Sequence, residues 1–478
     1  MEVKAKPHLH QDWIDPHAGG IVKALQKSGF TTYLVGGCVR DLLLNIHPKD
    51  FDIATAAVPQ QVKRVIYMSF IIGKRFRLVL VKREDQQFEV ATFRREVTPE
   101  DMADPNSPTG DNIFGTPEED AQRRDFTVNG LFYDPINDQL IDHVGGIPDI
   151  EARILRMIGD PNVRLSEDPI RILRGLRLSH KLHLTIEPSL RQAMCTHAGD
   201  LAKSVLPRRR EEILKILRLE APDLALLECF DLGILKHVTP TLDDFFQDPI
   251  RRELFLSYLN SFQDVVDNQA DTVQLFGWLV FALLRAAQDC GGENSEHLSI
   301  ESEVMSHFMA LELGMYKFEQ ANLVDAISII PSLKKSEDFR RRGERRQLSL
   351  MKNEGFRLAF RLALADFEIS APEATFWHET YEKLAGQLHN LEAEAKAKRR
   401  RRPRRRRPGD RAGNSPPGGA KSHAADGDSE DDSGEDSDDR SGDGSGDGSG
   451  DGSGDRSVDD VDNSHDASSA ESLSDTSS

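Results

Sequence analysis

Cysteine is scarce in this chain, and what there is lies scattered. Cys38, Cys195, Cys229 and Cys290 are the only four in 478 residues, and no two form a CxxC pair. That argues against a disulfide framework or a structural zinc site and fits a reducing compartment. Long apolar runs are missing too. The longest, Leu275–Leu284, is about half of the roughly 20 residues a membrane helix needs, so it reads as a buried helix. Residues 1–20 lack the apolar stretch of a signal peptide, and Asp12 and Asp15 are foreign to an acid-poor transit peptide. The expectation is a soluble, cytoplasmic protein with no membrane span.

Net positive charge is also lacking: the formal charge is −19, which at first argues against a nucleic-acid binder. The distribution is uneven. Residues 396–407 (KAKRRRRPRRRR) carry ten basic groups, whereas 408–478 carry 20 acids and four bases, leaving −13 for residues 1–395. Net charge governs solubility and non-specific binding, not what one cleft can hold. A local arginine cluster can still grip phosphate.

The order of patterns points to an α+β protein. Ile21–Lys27 reads as a helix ended by Gly29, Thr31–Val35 as a strand, Val39–Leu44 as a helix and Phe51–Ala54 as a short strand. Phe70–Lys82 and Phe88–Arg94 read as two further strands around a polar turn at Arg83–Gln87. Residues 96–118, rich in proline and glycine, read as a long irregular loop, and such loops are usually functional or mobile. From about Asp149 to Leu391 the pattern is helical, as in Ile170–Leu178, Arg210–Leu219 and Thr375–Leu391. From Lys396 on, composition predicts disorder. The SGDGSGDGSGDGSGD repeats lack the periodic large apolar residue of calcium-binding nonapeptides, so calcium binding is not expected.

Within this frame a few residue groups could carry chemistry. In KDFDIAT, Asp50 and Asp52 are two apart, so on a strand both face one side while Phe51 and Ile53 face the core. Two such carboxylates are a common protein contribution to a two-magnesium site, and also a common solvated strand face. Upstream, a strand runs into Gly36 and Gly37 and then a helix bearing Arg40 and Asp41. Glycines there let backbone amides approach phosphate, and Arg40 adds a charge-assisted contact. Glu89, in FEVATFR, faces away from Phe88 and Val90. It is a candidate third metal ligand and equally an ordinary solvent-facing glutamate. In RRDFTVN, Arg124 suits a triphosphate, while Asp125 and Asn129 suit sugar hydroxyls or a place beside the metal. A charged helix start explains the same residues.

Ser166-Glu-Asp-Pro-Ile-Arg171 has the make-up of a helix start, with Ser166 as N-cap and acids in the first turn. Asp168 and Arg171, three apart, then share a helix face. An acid beside an arginine copies a base-pairing edge that adenine and cytosine complement and guanine and uracil do not. Arg174 and Arg177 continue the stripe toward phosphates.

Together, LVGGCVRDLLL, KDFDIAT, FEVATFR, RRDFTVNGLFYDP, DHVGGIPDI and GDPNVRLSEDPIRILRGLRLS resemble the class II nucleotidyltransferases, which comprise bacterial poly(A) polymerases and tRNA CCA-adding enzymes. The resemblance covers roughly residues 15–240. Ile71–Leu80, the loop ending Asp111–Asp120 and the late arginine-rich segment are similar to the poly(A) polymerase branch. Leu178 departs from the aromatic the family often has there, and the acidic tail has no counterpart in it. No His-Asp dyad marks an appended phosphohydrolase domain.

The resemblance implies a nucleotidyltransferase palm with a small mixed sheet (21–155) after an N-terminal extension (1–20). A helical neck (156–220), a helical RNA-binding body (221–395) and a disordered tail (396–478) follow. It implies Asp50 and Asp52 as metal ligands, and Glu89 and Asp125 are the two candidates for a third catalytic acid. Gly36, Gly37, Arg40, Arg124, Asn129, Asp168, Arg171, Arg174 and Arg177 are then nucleotide-binding. It implies Mg2+ as cofactor, ATP as substrate, RNA 3′ ends as acceptor and an association with RNA-decay machinery. The expected activity is polynucleotide adenylyl transfer. The rivals are a CCA-adding enzyme and a non-catalytic RNA-binding protein using the basic run.

Overall fold

The chain divides into two units, Met1–Arg402 and Pro403–Ser478. A computed structural model describes residues 9–73, 78–97, 101, 113–261, 270–291 and 297–401, the side chains of 391–401 excepted. The second unit lies outside the described residues.

Helix α1 (Pro16–Lys27) begins earlier than the apolar pattern announced. Asp15 caps it by accepting from the amides of His17 and Ala18, and Pro16 takes the first helical position, where its missing N–H costs nothing. Ala18, Ile21, Val22 and Leu25 form its buried stripe. Strand β1 (Thr32–Val35) leads through Gly36 into α2 (Gly37–Leu43). Then follow β2 (Asp52–Thr55), α3 (Pro59–Val65), β3 (Ser69–Ile72), β4 (Leu78–Arg83) and β5 (Gln86–Thr92). The expected single strand Phe70–Lys82 is thus two antiparallel strands, with Ser69 opposite Val81 and Ile72 opposite Leu78. The chain leaves β3 at Gly73, whose φ of +85° a side chain rarely adopts, and residues 74–77 lie outside the described residues.

Helix α4 (Pro117–Gln122) starts where the expected loop ends, set by a Thr116–Glu119 capping box. Within that loop, 98–100 and 102–112 lie outside the described residues. Strands β6 (Leu131–Asp134) and β7 (Gln139–Asp142) complete a seven-stranded sheet of order β3-β4-β5-β2-β1-β6-β7. Its pairings are antiparallel except β2 with β5. The sheet buries both faces unequally. Leu34, Ile53 and Val90 join the main core, which runs on through the helical part, while Val35, Ala54 and Phe132 join Phe93 and Ala121 in a small second cluster.

Helix α5 (Gly146–Glu151) closes the head, and α6 (Pro161–Glu167), α7 (Ile170–Leu182), α8 (Pro188–His197) and α9 (Leu206–Ile216) follow. A two-residue parallel ladder, Ile154–Leu155 with Thr185–Ile186, interrupts the expected all-helical stretch. Ser166 is not an N-cap. It lies inside α6, which Asp160 caps with Pro161 at the first position, the same start pattern six residues upstream. Further on, Leu275–Leu284 lies in a helix (Thr272–Cys290) buried nearly all round, and no described helix is long and apolar enough to cross a membrane. The last described helix, Ala371–Arg401, runs past the expected onset of disorder at Lys396.

Candidate functional site

Gly36 adopts φ +73°, and a Cβ there would meet Arg124 Nη1 at 2.9 Å. Glycine therefore allows both the turn from β1 into α2 and the approach of the Arg124 guanidinium. Arg124 is steadied from below by Asp120 on α4, with Nη2 donating at 2.9 Å and Nε at 3.2 Å, and it lies over the Phe132 ring. Burial alone would raise the Asp120 carboxyl, but the charges and hydrogen bonds of Arg124 and Arg123 hold it below the usual carboxylate range. Arg40 donates to Asp41 at 2.6 and 2.8 Å and to Asn129 Oδ1 at 2.5 Å. Two cations thus stand over the β1–α2 turn, each fixed by an acid behind it.

Asp52 opens β2, and Asp50 precedes the strand instead of lying in it. Phe51 and Ile53 are buried while Asp50 and Asp52 are exposed, as the alternation predicted. In the parallel pairing Ile53 lies opposite Val90, so one step back along both strands puts Asp52 beside Glu89 on the face of the smaller cluster. Among the described residues no side-chain hydrogen bond or ion pair engages Asp50, Asp52 or Glu89. Partial burial in the cleft and then the charges of Glu89 and Asp50 push the Asp52 carboxyl above the usual carboxylate range, against the pull of Arg124. An all-oxygen donor set crowded with like charge suits a hard divalent cation. Among the described residues no three His, Cys, Asp or Glu side chains are grouped closely enough to enclose a metal ion, so these carboxylates form an open edge and not a cage.

The opposite wall comes from α6, α7 and α9. Asp168 is the link between α6 and α7, outside either helix, so it and Arg171 do not share a helix face as expected. They are joined instead by the Arg171 amide donating to the Asp168 carbonyl at 3.1 Å. The Asp168 carboxylate accepts from Arg208 on α9 at 2.9 and 2.8 Å, and Arg171 donates to the Arg164 carbonyl at 2.7 Å. Asp125 is fully engaged. It accepts from Arg174 at 3.0 and 2.7 Å, from Asn129 at 3.0 Å and from the Phe126 amide at 2.9 Å. Burial opposes its charge, but these donors outweigh burial and hold it below the usual range. Arg177 donates to Glu212 at 2.8 Å.

These walls enclose a cleft of about 420 Å³. All nine expected nucleotide-binding residues line it: Gly36, Gly37, Arg40, Arg124, Asn129, Asp168, Arg171, Arg174 and Arg177. Asp52 and Asp125 join them, whereas Asp50 and Glu89 stand outside the lining. Leu178, Lys181 and Arg208 also line it, and the sequence reading had assigned neither Lys181 nor Arg208 to a site. Burial, then the surrounding cations Arg40, Arg177 and Lys49, push the Lys181 ammonium below its usual range against Asp41, the mark of a cation-rich hollow. Such a cleft can take a polyanion on its arginines with its reactive end beside the carboxylate edge.

Residues 32–156 match the family described as the poly A polymerase head domain. Residues 183–246 match the one described as a probable RNA- and SrmB-binding site of polymerase A. The chain is 36% identical over 277 residues to poly(A) polymerase I of Haemophilus influenzae, covering 56% of this chain and 60% of that protein. It is 34% identical over 223 residues to the CCA-adding enzyme of Bacillus licheniformis, covering 47% and 55%. The chain thus spans little more than half the length of these curated relatives. Its fold is like that of the Bacillus stearothermophilus CCA-adding enzyme in complex with CTP, with a TM-score of 0.56 at 22% identity over 78% of this chain and 83% of that one.

Proposed function

We propose that this chain, a member of the bacterial poly(A) polymerase and CCA-adding enzyme family, is a polynucleotide adenylyltransferase that adds AMP from ATP to RNA 3′ ends. The observation that carries the reading is the cleft itself, where an arginine wall able to hold a triphosphate faces Asp52, part of a carboxylate edge that no cation pairs among the described residues. The likeness to poly(A) polymerase I supports the adenylate-adding branch.

Asp50 and Asp52 are the residues that would hold Mg2+. When bound, the metal supplies activation of the RNA 3′-hydroxyl and neutralisation of the leaving pyrophosphate. The protein's own part is positioning. Arg40, Arg124 and Lys181 bind triphosphate oxygens, and Asp41 and Asp120 hold the two guanidiniums in place so that little side-chain freedom is lost on binding. Asn129, bridged to Arg40 and Asp125, faces the sugar. Arg171 and Asp168 read the base edge, and Arg208 fixes the orientation of the Asp168 carboxylate. Asp125 acts through Arg174 and Asn129, as a positioning residue that ties head to neck. Glu89 stands as a further acid beside Asp52. In this reading the palm is 21–155, the neck 156–220 and the body 221–395. The basic run from Lys396 holds RNA phosphates, and the protein works beside RNA-decay machinery in the cytoplasm.

Purified full chain, a generic unstructured RNA and each nucleoside triphosphate in turn test this. Long adenylate tails from ATP alone are expected. Addition of a limited CCA to tRNA with other RNA ignored would establish the CCA-adding reading instead, which the match to the Bacillus licheniformis enzyme favours. RNA binding without any transfer would leave a non-catalytic binder.

A further inference from the structure

A column of stacked groups runs from the core to the surface on the far side of α9 from the cleft. At its base is Phe276, fully buried in the helix Thr272–Cys290. The Arg210 guanidinium lies over that ring at 5.2 Å and over the Tyr316 ring at 4.6 Å, so it is held between the two. Tyr316 in turn stacks on Phe318, with centroids 6.0 Å apart and an interplanar angle of 15°. The lower part is rigidly fixed. Arg210 is 8% exposed, donates to the Gly314 carbonyl at 2.9 Å and pairs with the buried Glu319. Glu319 also accepts from Thr272 at 2.7 Å and from the Tyr316 amide at 2.7 Å. The upper part is open: Tyr316 is 56% and Phe318 63% exposed.

We propose that this column is a stacking platform for an unpaired base of single-stranded RNA, upstream of the 3′ end that enters the cleft. The proposal rests on the nucleotidyltransferase reading above. An aromatic face needs no sequence match, because every base presents a π-face. The guanidinium locked beneath Tyr316 holds that ring in place, and Phe318 stacks on it, so the ordering cost on binding is reduced. Continuity selects RNA as the occupant. Helix α9 carries Arg208 into the cleft wall and Arg210, two residues on and roughly on its opposite side, into the column. The Arg210 end of the column therefore lies about one helix diameter, roughly 10–12 Å, from the cleft, and its open end at Phe318 lies farther out, within reach of nucleotides upstream of the reacting end. The exposed Lys317 lies between the two aromatic residues in sequence and offers an ammonium to a backbone phosphate.

The test uses the full chain and a short oligoadenylate carrying 2-aminopurine at successive positions from its 3′ end. Phe318→Leu keeps an apolar side chain on an exposed residue but removes the ring, and Phe318→Trp restores a larger one. In the unaltered chain the fluorophore should be quenched at a defined position upstream of the end. Phe318→Leu should remove that quenching and weaken oligoadenylate binding about tenfold. The KM for RNA should rise with kcat at saturating RNA unchanged, and Phe318→Trp should restore both. Equal affinity and equal quenching in the unaltered and Leu chains would overturn the platform, including the case where the pair docks a protein. The catalytic reading is scored separately, by AMP transfer in the unaltered chain. Phe318-dependent quenching without any transfer would remove that reading and leave the platform standing.

Discussion

On the sheet side of the cleft, Asp50, Asp52 and Glu89 stand together, and among the described residues no cation bonds to any of them. Where the head meets the helices three acids are each matched to an arginine: Asp125 of the head to Arg174, Asp168 to Arg208, Glu212 to Arg177. Folding neutralises the second set, so those charges are spent on shape. The first set keeps its mutual repulsion in the folded chain, and only something that arrives later can relieve it. A site that must bind both a divalent cation and a polyanion needs this division: one edge left unsatisfied, and one wall whose arginines are already aimed.

The sharpest way to break the comparison is to remove charge from the unsatisfied edge. Asp50→Asn and Asp52→Asn should each lower AMP transfer by about a thousandfold, since a metal supplies several kcal/mol of charge stabilisation and each 1.4 is tenfold. The same changes should leave the melting temperature unaltered or slightly raised, because they remove like-charge repulsion at exposed positions. Transfer at the unaltered rate at saturating magnesium would show that the edge holds no metal.

The paired wall predicts the reverse. Asp125→Asn should destabilise the fold by about 2 kcal/mol, less than the roughly 3–5 of a fully buried pair because the Arg174 side chain is 39% exposed. The pH dependence has a definite sign. The folded Asp125 carboxyl lies below its unfolded value, so its contribution is complete above about pH 4 and is lost as pH falls through the folded value. Urea unfolding of both proteins should therefore differ at neutral pH and converge in acid. A gap independent of pH would mean the loss is one of packing.

Replacing both Asp168 and Arg171 by Ala should relax the preference for ATP over GTP by about 1–3 kcal/mol while triphosphate binding changes less. Arg208→Ala should shift the same ratio in the same direction by a smaller amount, with little loss of stability, because its side chain is 51% exposed. Single-turnover incorporation from each triphosphate measures both. An unchanged ratio in the double variant would reduce the pair to joining α6 to α7.

What could be read from the sequence was what lies within short segments. Gly36, Gly37 and Arg40 share one turn, and alternation around Phe51 and Ile53 gave the exposure of Asp50 and Asp52. Arg208 was out of reach, because it comes to Asp168 from another helix through the packing of α9 on α7, and the run Arg208–Arg210 gives no sign of which guanidinium faces the cleft. Asp120 could have been found from its i, i+4 spacing to Arg124. Ser166 misled because two start patterns lie close together, and Asp160–Pro161 took the role. The reversal between β3 and β4 was hidden because β-forming residues stand on both sides of Gly73, the one turn-forming residue in Phe70–Lys82.

The smallest effect sharpens the comparison at Glu89. Register puts it beside Asp52, and its charge is the first neighbouring charge, after burial, that raises the Asp52 carboxyl. Asp52 must be ionised to hold a cation, so protonation sets the acid limb of the rate. Glu89→Gln removes the neighbouring charge but keeps an oxygen in place. The Asp52 carboxyl then falls toward its ordinary value, and the acid limb of AMP transfer moves to lower pH. The plateau at neutral pH should stay close to that of the unaltered chain, because there Asp52 is ionised in both. A rate profile from acid to neutral pH at saturating magnesium and RNA separates the two roles open to this residue. A displaced limb with a preserved plateau makes Glu89 an electrostatic neighbour of the metal edge. A rate depressed across the whole range, with the limb unmoved, makes it a third ligand, and the unsatisfied edge would then be wider than the two aspartates.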